Sequence, residues 1–172
     1  KKQLPLCAPL ALSAIEIMGR TLRDAWCNGD DLKLRSEIML GSVQSAIAAH
    51  NSSLSLLHAM AYTLGNFFSM PYGLAYSVML PHWLDFCHLA KHSEFAQIAR
   101  ALGESTDGLN AADTAERVVI AIKRLCTDLE IPTLRELIKD SLTFENEIEK
   151  MAQHVHATGL AANNARFATP TR

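Results

Sequence analysis

The sequence predicts an all-α protein, a helical bundle. Hydrophobic side chains make up 49% of the 172 residues and aromatic ones only 6%, a composition typical of a helical core. Apolar residues recur at helical three- and four-residue spacings along most of the chain, and no segment alternates convincingly like a strand. We find no internal repeat. We therefore expect one helical domain over residues 1–172.

An uncharged stretch lies at the centre of the chain. From Ile38 to Leu84 there is no Asp, Glu, Lys or Arg, although such residues make up 20% of the whole. Burying an ionised side chain without a partner is costly, so this stretch is predicted to be the interior of the domain. Polar residues, Gly and Pro interrupt it before it reaches about 20 apolar residues, and a membrane span is not predicted.

Charge and cysteine usage argue against several partners. The 16 basic and 18 acidic residues form no block of like charge, which favours neither nucleic acid nor an anionic membrane surface. The four cysteines form no C-x-x-C pair and are predicted to be thiols without a disulfide framework. We expect a cytoplasmic protein without a targeting segment, because charged residues follow the basic opening too soon for a signal peptide.

The first two helices have clear sequence boundaries. One is predicted from Ala8 to Cys27 by its apolar spacing. Asp30 or Asp31 can cap the next, which ends near His50 and contains small residues that allow a neighbour to approach closely. Its apolar stripe is Leu34, Ile38, Val43 and Ile47.

The third helix is predicted to begin at Ser52 or Ser53 and to run to about Leu64. Gly65 and Asn66 give the C-terminal signal for that helix.

Pro71 is suited to start a fourth helix through Phe86, which Pro81 is expected to kink. A capping box, Thr133-Leu-Arg-Glu136, starts a short later helix, and Thr143 is predicted to cap the last one. The later helices are predicted over 93–102, 113–129, 133–139 and 143–156, with an irregular segment over 160–172.

Three residues of the uncharged stretch are candidates for chemistry. His58 and Tyr62 stand one turn apart on one helix face, and Tyr72 lies at the first turn of the fourth helix. An imidazole can bind a metal and a phenol can donate a proton. The alternative is a core histidine satisfied by a carbonyl group and a packed tyrosine whose hydroxyl reaches the surface.

The other histidines do not form a predicted site. His88 and His92 share a face that carries charged neighbours, which indicates a solvated surface. His154 and His156 are two residues apart on a helix and point in different directions. No HExxH, CxxC, Walker A or serine-triad motif occurs, so the residues alone do not complete an active site.

The segment from His58-Ala-Met-Ala-Tyr62 through Pro71-Tyr72-Gly73 to Met79-Leu-Pro-His82 resembles the iron-containing (group III) alcohol dehydrogenases. That family typically reads H-x-M-A-H, then L-G, then P-H-G and L-L-P-H. Near the end, Asn163-Asn-Ala-Arg166 is similar to the family's N-P-R element. The resemblance covers nearly the whole chain.

The resemblance implies a C-terminal helical domain of the dehydroquinate synthase-like kind, whose partner is an N-terminal domain that binds NAD(P). We expect that nucleotide-binding domain to be absent from this chain, which opens on Lys1. The family's metal, Fe or Zn, takes two further ligands from a helix that precedes this region. The implied parent protein is an oxidoreductase acting on a small alcohol or aldehyde, in a homo-oligomer.

Two positions depart from the family pattern. His58 matches a metal ligand, Tyr72 stands where a second histidine ligand is expected, and Tyr62 stands where the family has the histidine near the nicotinamide and substrate. A phenolate is costly to form at neutral pH, because its reference pKa is about 10. Either Tyr62 or Tyr72 donates a proton in a metal-free or metal-weakened carbonyl reductase, or the domain is a non-catalytic interaction or assembly module.

The isolated chain is expected to be inactive, since it lacks the cofactor-binding half. Apolar surface that would face the missing half is predicted to be exposed or to be covered by self-association.

Overall fold

The computed structural model describes residues 4–169, and over that range it contains eight α-helices and no strand. The all-α prediction is confirmed. No helix of the described range is long and apolar enough to cross a membrane. The predicted irregular tail extends to Arg172, and its last three residues lie outside the described part of the chain.

The helices, numbered in chain order, account for most of the described residues. They are α1 (Cys7–Cys27), α2 (Leu32–His50), α3 (Leu56–Phe68), α4 (Tyr72–Cys87), α5 (His92–Ala101), α6 (Ala111–Asp128), α7 (Leu134–Leu137) and α8 (Ser141–Ala157). Two short 3-10 helices cover His88–Ala90 and Leu160–Asn163.

The helices fall into two compact units. The first unit contains α1, α2, α5 and α6, with the described residues through Ser53 and the segment His88–Leu129. The second unit contains α3, α4, α7 and α8, with Leu54–Cys87 and the described residues from Glu130. That the chain forms a single domain stays a prediction.

In the first unit a glycine of α2 permits close contact with α1. Asp31 caps α2 by accepting hydrogen bonds from the Lys33 and Leu34 amides, as the sequence predicted. A Cβ at Gly41 of α2 would lie 3.1 Å from Met18 Cε and 3.3 Å from Ile17 Cγ2 of α1. The missing side chain at position 41 therefore lets α2 approach α1.

In the second unit α3 packs against α4 and α8. A hydrogen bond of 2.8 Å joins Thr63 Oγ1 on α3 to His154 Nδ1 on α8. The predicted capping box at Thr133 and Glu136 is present at the start of α7. These contacts hold α3, which carries two of the three candidate residues.

The predicted limits of α3 were wrong at both ends. The helix begins at Leu56, after Ser55, and continues through Gly65 and Asn66 to Phe68. It ends at Ser69 in the left-handed conformation, with φ of 50°. A Cβ at Gly65 would lie 3.0 Å from the Met70 carbonyl oxygen, so this glycine permits a close backbone approach and does not end the helix.

The uncharged stretch is not interior throughout. Met39, Leu40, Val43 and Ile47 of α2 are each 46–65% exposed, whereas Leu57, Ala61 and Ala75 are almost fully buried. Absence of charge predicted burial correctly for much of α3 and α4, but not for one face of α2. At α8 the cap was also assigned to the wrong residue, because the carboxylate of Asp140 caps the helix and accepts from the Thr143 amide.

Candidate functional site

His58 lies in the first turn of α3 and is half-buried. Its Nδ1 atom is buried and has no hydrogen-bond partner among the described residues. The edge of the ring meets Tyr76 of α4, with 5.1 Å between ring centroids and an interplanar angle of 74°. Burial lowers the pKa of His58 below 6.5, because desolvation disfavours the imidazolium ion. His58 is thus a neutral imidazole at physiological pH, and its buried Nδ1 makes no hydrogen bond within the described residues.

Tyr72 and Tyr76 extend this contact along α4. Tyr72 is the first residue of the helix and is 48% exposed. Its ring centroid lies 6.0 Å from that of Tyr76. Burial raises the pKa of Tyr72 above its usual value, so a phenolate ligand at this position is further disfavoured.

Tyr76 connects the two predicted site residues. Burial, and then the neighbouring Tyr72, raise the pKa of Tyr76 to about 12, so its hydroxyl stays protonated at neutral pH. The sequence analysis missed this residue. Its spacing of four from Tyr72 on a predicted helix was the available signal, because such residues share a face.

Tyr62 is the most accessible of the three predicted site residues. It lies one turn after His58 on α3 and is 58% exposed. A phenol that reaches solvent can exchange its proton and remains open to a bound molecule. The structure thus links His58 to Tyr72 through Tyr76, and it places Tyr62 on the accessible part of the same α3 face.

The described residues of this chain do not by themselves fit a metal ion. Among them no group of three or more His, Cys, Asp or Glu side chains could hold one. His58 offers one imidazole, and the neighbouring rings are protonated phenols that bind divalent iron or zinc poorly.

Asn164 and Arg166 of the predicted N-P-R-like element fasten the end of the chain to α4. Trp83 Nε1 donates to Asn164 Oδ1 at 2.8 Å, and Asn164 Nδ2 donates to the Arg166 carbonyl at 2.7 Å. The Arg166 guanidinium lies 4.5 Å from the Phe86 ring centroid and donates to the Phe86 carbonyl. These contacts give the element a structural role in the second unit.

Among the described residues, His154 and His92 form no hydrogen bond or ring contact with His58, Tyr62 or Tyr72. His154 is bonded to Thr63, and its ring meets the Phe67 ring at 6.1 Å. His92 has a buried Nε2 without a hydrogen-bond partner among the described residues, which a solvated face did not predict. The four cysteines are free thiols, and only Cys27 is exposed.

The second unit thus carries one imidazole and three phenols on α3 and α4, and Tyr62 and Tyr72 among them are exposed. The chain belongs to the Fe-containing alcohol dehydrogenase family, because the pattern of that family's C-terminal part matches residues 1–171. The suspected resemblance is confirmed.

Individual relatives agree with this assignment. The chain is 36% identical over 162 residues to the 1,3-propanediol dehydrogenase of Citrobacter freundii, covering 94% of this chain and 41% of the relative. It is 29% identical to the NAD-dependent methanol dehydrogenase of Bacillus methanolicus, covering 98% and 44% respectively. The chain therefore spans less than half the length of these curated relatives.

Solved structures share the fold. A crystal structure of 1,3-propanediol oxidoreductase superposes with a TM-score of 0.93 at 34% identity, covering 99% of this chain and 44% of that one. The alcohol dehydrogenase from Oenococcus oeni gives a TM-score of 0.90 at 31% identity, covering 98% and 43%. The chain thus corresponds to the C-terminal helical part of the Fe-containing alcohol dehydrogenases.

Proposed function

We propose that this domain forms the substrate side of an NAD(P)-dependent oxidoreductase that interconverts a small alcohol and its aldehyde. The main support for this proposal is that one face of α3 carries both His58, whose buried Nδ1 has no hydrogen-bond partner among the described residues, and Tyr62, whose side chain is exposed. Relatives named for propanediol, methanol and lactaldehyde support the substrate class.

Tyr62 is the proposed proton donor. A nicotinamide supplies hydride to the carbonyl carbon when it is bound. The Tyr62 hydroxyl donates its proton to the carbonyl oxygen, and the phenolate left behind is reprotonated from solvent, so the product is an alcohol. His58, neutral at physiological pH, can donate a hydrogen bond to the same carbonyl oxygen, or accept one from the hydroxyl of the alcohol product.

The metal site is proposed to be altered relative to the family pattern. The support is the chemistry of the groups around His58, which are the protonated phenols of Tyr72 and Tyr76. The NAD(P)-binding domain is proposed to come from the part of the protein that corresponds to the rest of the relatives' length. Accordingly, the isolated chain is proposed to bind substrate weakly and to have no turnover.

The test is aldehyde-dependent oxidation of NAD(P)H by the chain joined to an upstream nucleotide-binding half. Tyr62→Phe is expected to lower kcat by about 100-fold or more, in line with the loss of a general acid. The matched variant Tyr72→Phe, also on an accessible tyrosine, is expected to retain most activity. Equal loss in both variants would contradict the assignment of Tyr62.

Measuring the metal content distinguishes an enzyme with a weakened metal site from one whose activity depends on a bound metal. The joined protein is expected to keep its activity after treatment with a chelator and dialysis. Metal at about one equivalent per chain that is lost together with activity on His58→Ala would contradict the altered site and favour ordinary metal-dependent chemistry.

A second candidate is a non-catalytic assembly module. The exposed apolar stripe of α2, formed by Met39, Leu40, Val43 and Ile47, favours it, because such a stripe is typical of an interface. The partner is proposed to be the nucleotide-binding domain or a second copy in a homo-oligomer. A mass in solution that falls to that of a monomer on Val43→Lys would support this role. A monomeric wild-type chain would contradict self-association.

A further inference from the structure

The second unit contains a cavity of about 440 Å³. Pockets that hold small molecules have volumes of roughly 300–1,000 Å³, so this one is of the right size for a ligand. None of the predicted site residues His58, Tyr62 and Tyr72 lines it. The cavity therefore belongs to a different surface from the candidate site.

Helix geometry separates the two sites on α3. Met60, Thr63 and Leu64 line the cavity. Successive residues of an α-helix are rotated by about 100°, so Met60 points nearly opposite to His58. A ligand in the cavity would therefore contact the face of α3 that the candidate site does not use.

The cavity wall is chemically suited to an apolar molecule. Its lining contains no Asp, Glu, Lys or Arg, which argues against a charged ligand. Three of the six methionines of the chain line it, one from each of three helices: Met60 of α3, Met79 of α4 and Met151 of α8. Methionine side chains are flexible and polarizable and adapt to ligands of irregular shape.

Two imidazoles supply polar contacts at the cavity. His82 is exposed and His156 is half-buried, and both line it. Thr63 also lines it, but its hydroxyl is already bonded to His154. An imidazole can donate to or accept from a hydroxyl or carbonyl group, so the site matches a ligand with one neutral oxygen.

We propose that this cavity binds a neutral aliphatic alcohol or aldehyde of medium chain length. Its tail lies against Met60, Met79 and Met151, and its oxygen is hydrogen-bonded to His82 or His156. This binding requires neither hydride transfer nor the residues of the α3 face opposite, so it stands independently of the proposed oxidoreductase activity.

The test is NMR of the 172-residue chain with labelled methionine methyl groups, titrated with octanol. The methyl signals of Met60, Met79 and Met151 are expected to shift and saturate. Met18, Met39 and Met70 do not line the cavity and serve as internal controls whose signals stay in place.

Three variants sharpen the titration. Ala152→Leu fills the cavity from α8 and is expected to weaken octanol binding at least tenfold. Ile148→Trp narrows the cavity at its rim. Because Ile148 is already 46% exposed, this substitution should leave the core intact, and it replaces Ala152→Leu if that variant does not fold. Ala157→Leu is the matched control, because Ala157 is exposed on the same helix and does not line the cavity.

Four results would overturn the proposal. Equal shifts of all six methyl groups would indicate non-specific solvent effects. Shifts of the three cavity methyl groups on dilution without octanol would indicate that a second copy covers the cavity. Equally tight binding of octanoate would contradict a neutral ligand. Unchanged binding in both folded cavity variants would place the ligand elsewhere.

Discussion

The first and second units bury different kinds of side chain. In the first unit most buried residues are small, and the approach of α2 to α1 depends on Gly41. In the second unit Leu56, Leu57, Leu64 and Leu84 are buried, and flexible and aromatic side chains surround a cavity. Small residues suit rigid helix contact, whereas long and aromatic ones leave adaptable space. The candidate site and the cavity both lie in the second unit.

The sharpest way to break this comparison is to remove a large buried side chain from the second unit. Leu57 is 1% exposed, and Leu57→Ala is expected to lower the free energy of unfolding by about 2–5 kcal/mol through lost burial and a new void. Urea denaturation followed by circular dichroism measures it. Leu54, 41% exposed, is the matched control, and an equal loss in Leu54→Ala would refute the burial argument.

The corresponding change in the first unit adds volume. Gly41→Val is expected to cost about 1–3 kcal/mol, because its Cβ and methyl groups would crowd Ile17 and Met18. Gly73→Ala in α4 is the control, because it is expected to raise the free energy of unfolding. No atom lies within 4 Å of a Cβ there, and helix propensity predicts a gain of about 1 kcal/mol. Stabilisation by Gly41→Val would contradict close contact between α1 and α2.

Buried threonines test whether polar contacts differ between the units. Thr63→Val removes the bond between α3 and α8 and is expected to cost about 1 kcal/mol. Thr114→Val in the first unit removes only a bond to the Asn110 carbonyl, which also accepts from the Thr114 amide, so a smaller loss is expected. Thermal unfolding compares the two. A larger loss of stability in Thr114→Val than in Thr63→Val would contradict the greater contribution of the hydrogen bond between α3 and α8.

The pKa of His58 provides a smaller, pH-dependent test. Since the folded-state pKa lies below 6.5, the unfolded chain binds more protons as the pH falls through that region. The contribution to stability is therefore complete above pH 6.5 and decreases at acidic pH. The ring-proton NMR signals of His58 should titrate below 6.5, and His58→Gln should reduce the pH dependence of unfolding. A midpoint above 6.5 would contradict desolvation.

Tyr76 provides a second pH-dependent test, at alkaline pH. Its pKa of about 12 lies above the unfolded value of 10.0, so its contribution to stability is present below pH 10.0 and is lost as the pH rises. Tyrosinate absorbance should show one late step that disappears in Tyr76→Phe. Tyr72→Phe should shift that step to lower pH, because the neighbouring charge is removed. An unshifted step would rule out the coupling of Tyr72 to Tyr76.

Helix positions were predictable where the signal is local. The Asp31 cap and the Thr133 capping box depend on side chains within three residues, and both form as expected. The limits of α3 were not predictable in this way, because Gly65 looks like a helix stop but serves a contact with the Met70 carbonyl. A tertiary contact overrode the local preference.

The candidate site was predictable only in part. The spacing of His58 and Tyr62 placed them on one face, and the position of Tyr72 after Pro71 placed it at the start of the fourth helix. The spacing of Tyr72 and Tyr76 could have indicated their contact within α4, but the contact of Tyr76 with His58 depends on the packing of α4 against α3, which no spacing within one helix determines. The cavity is formed by side chains from several helices and the end of the chain, so it too required coordinates.

The close approach of the Met70 carbonyl to Gly65 has a consequence for redesign of the contact between His58, Tyr72 and Tyr76. The same crossing carries the hydrogen bond from the Met70 amide to the Gly65 carbonyl, and only two residues later α4 begins at Tyr72. The connection thus works as a fixed spacer whose length sets how far His58 stands from the phenols. Histidines introduced on α4 will therefore lie near His58 only if residue 65 remains glycine.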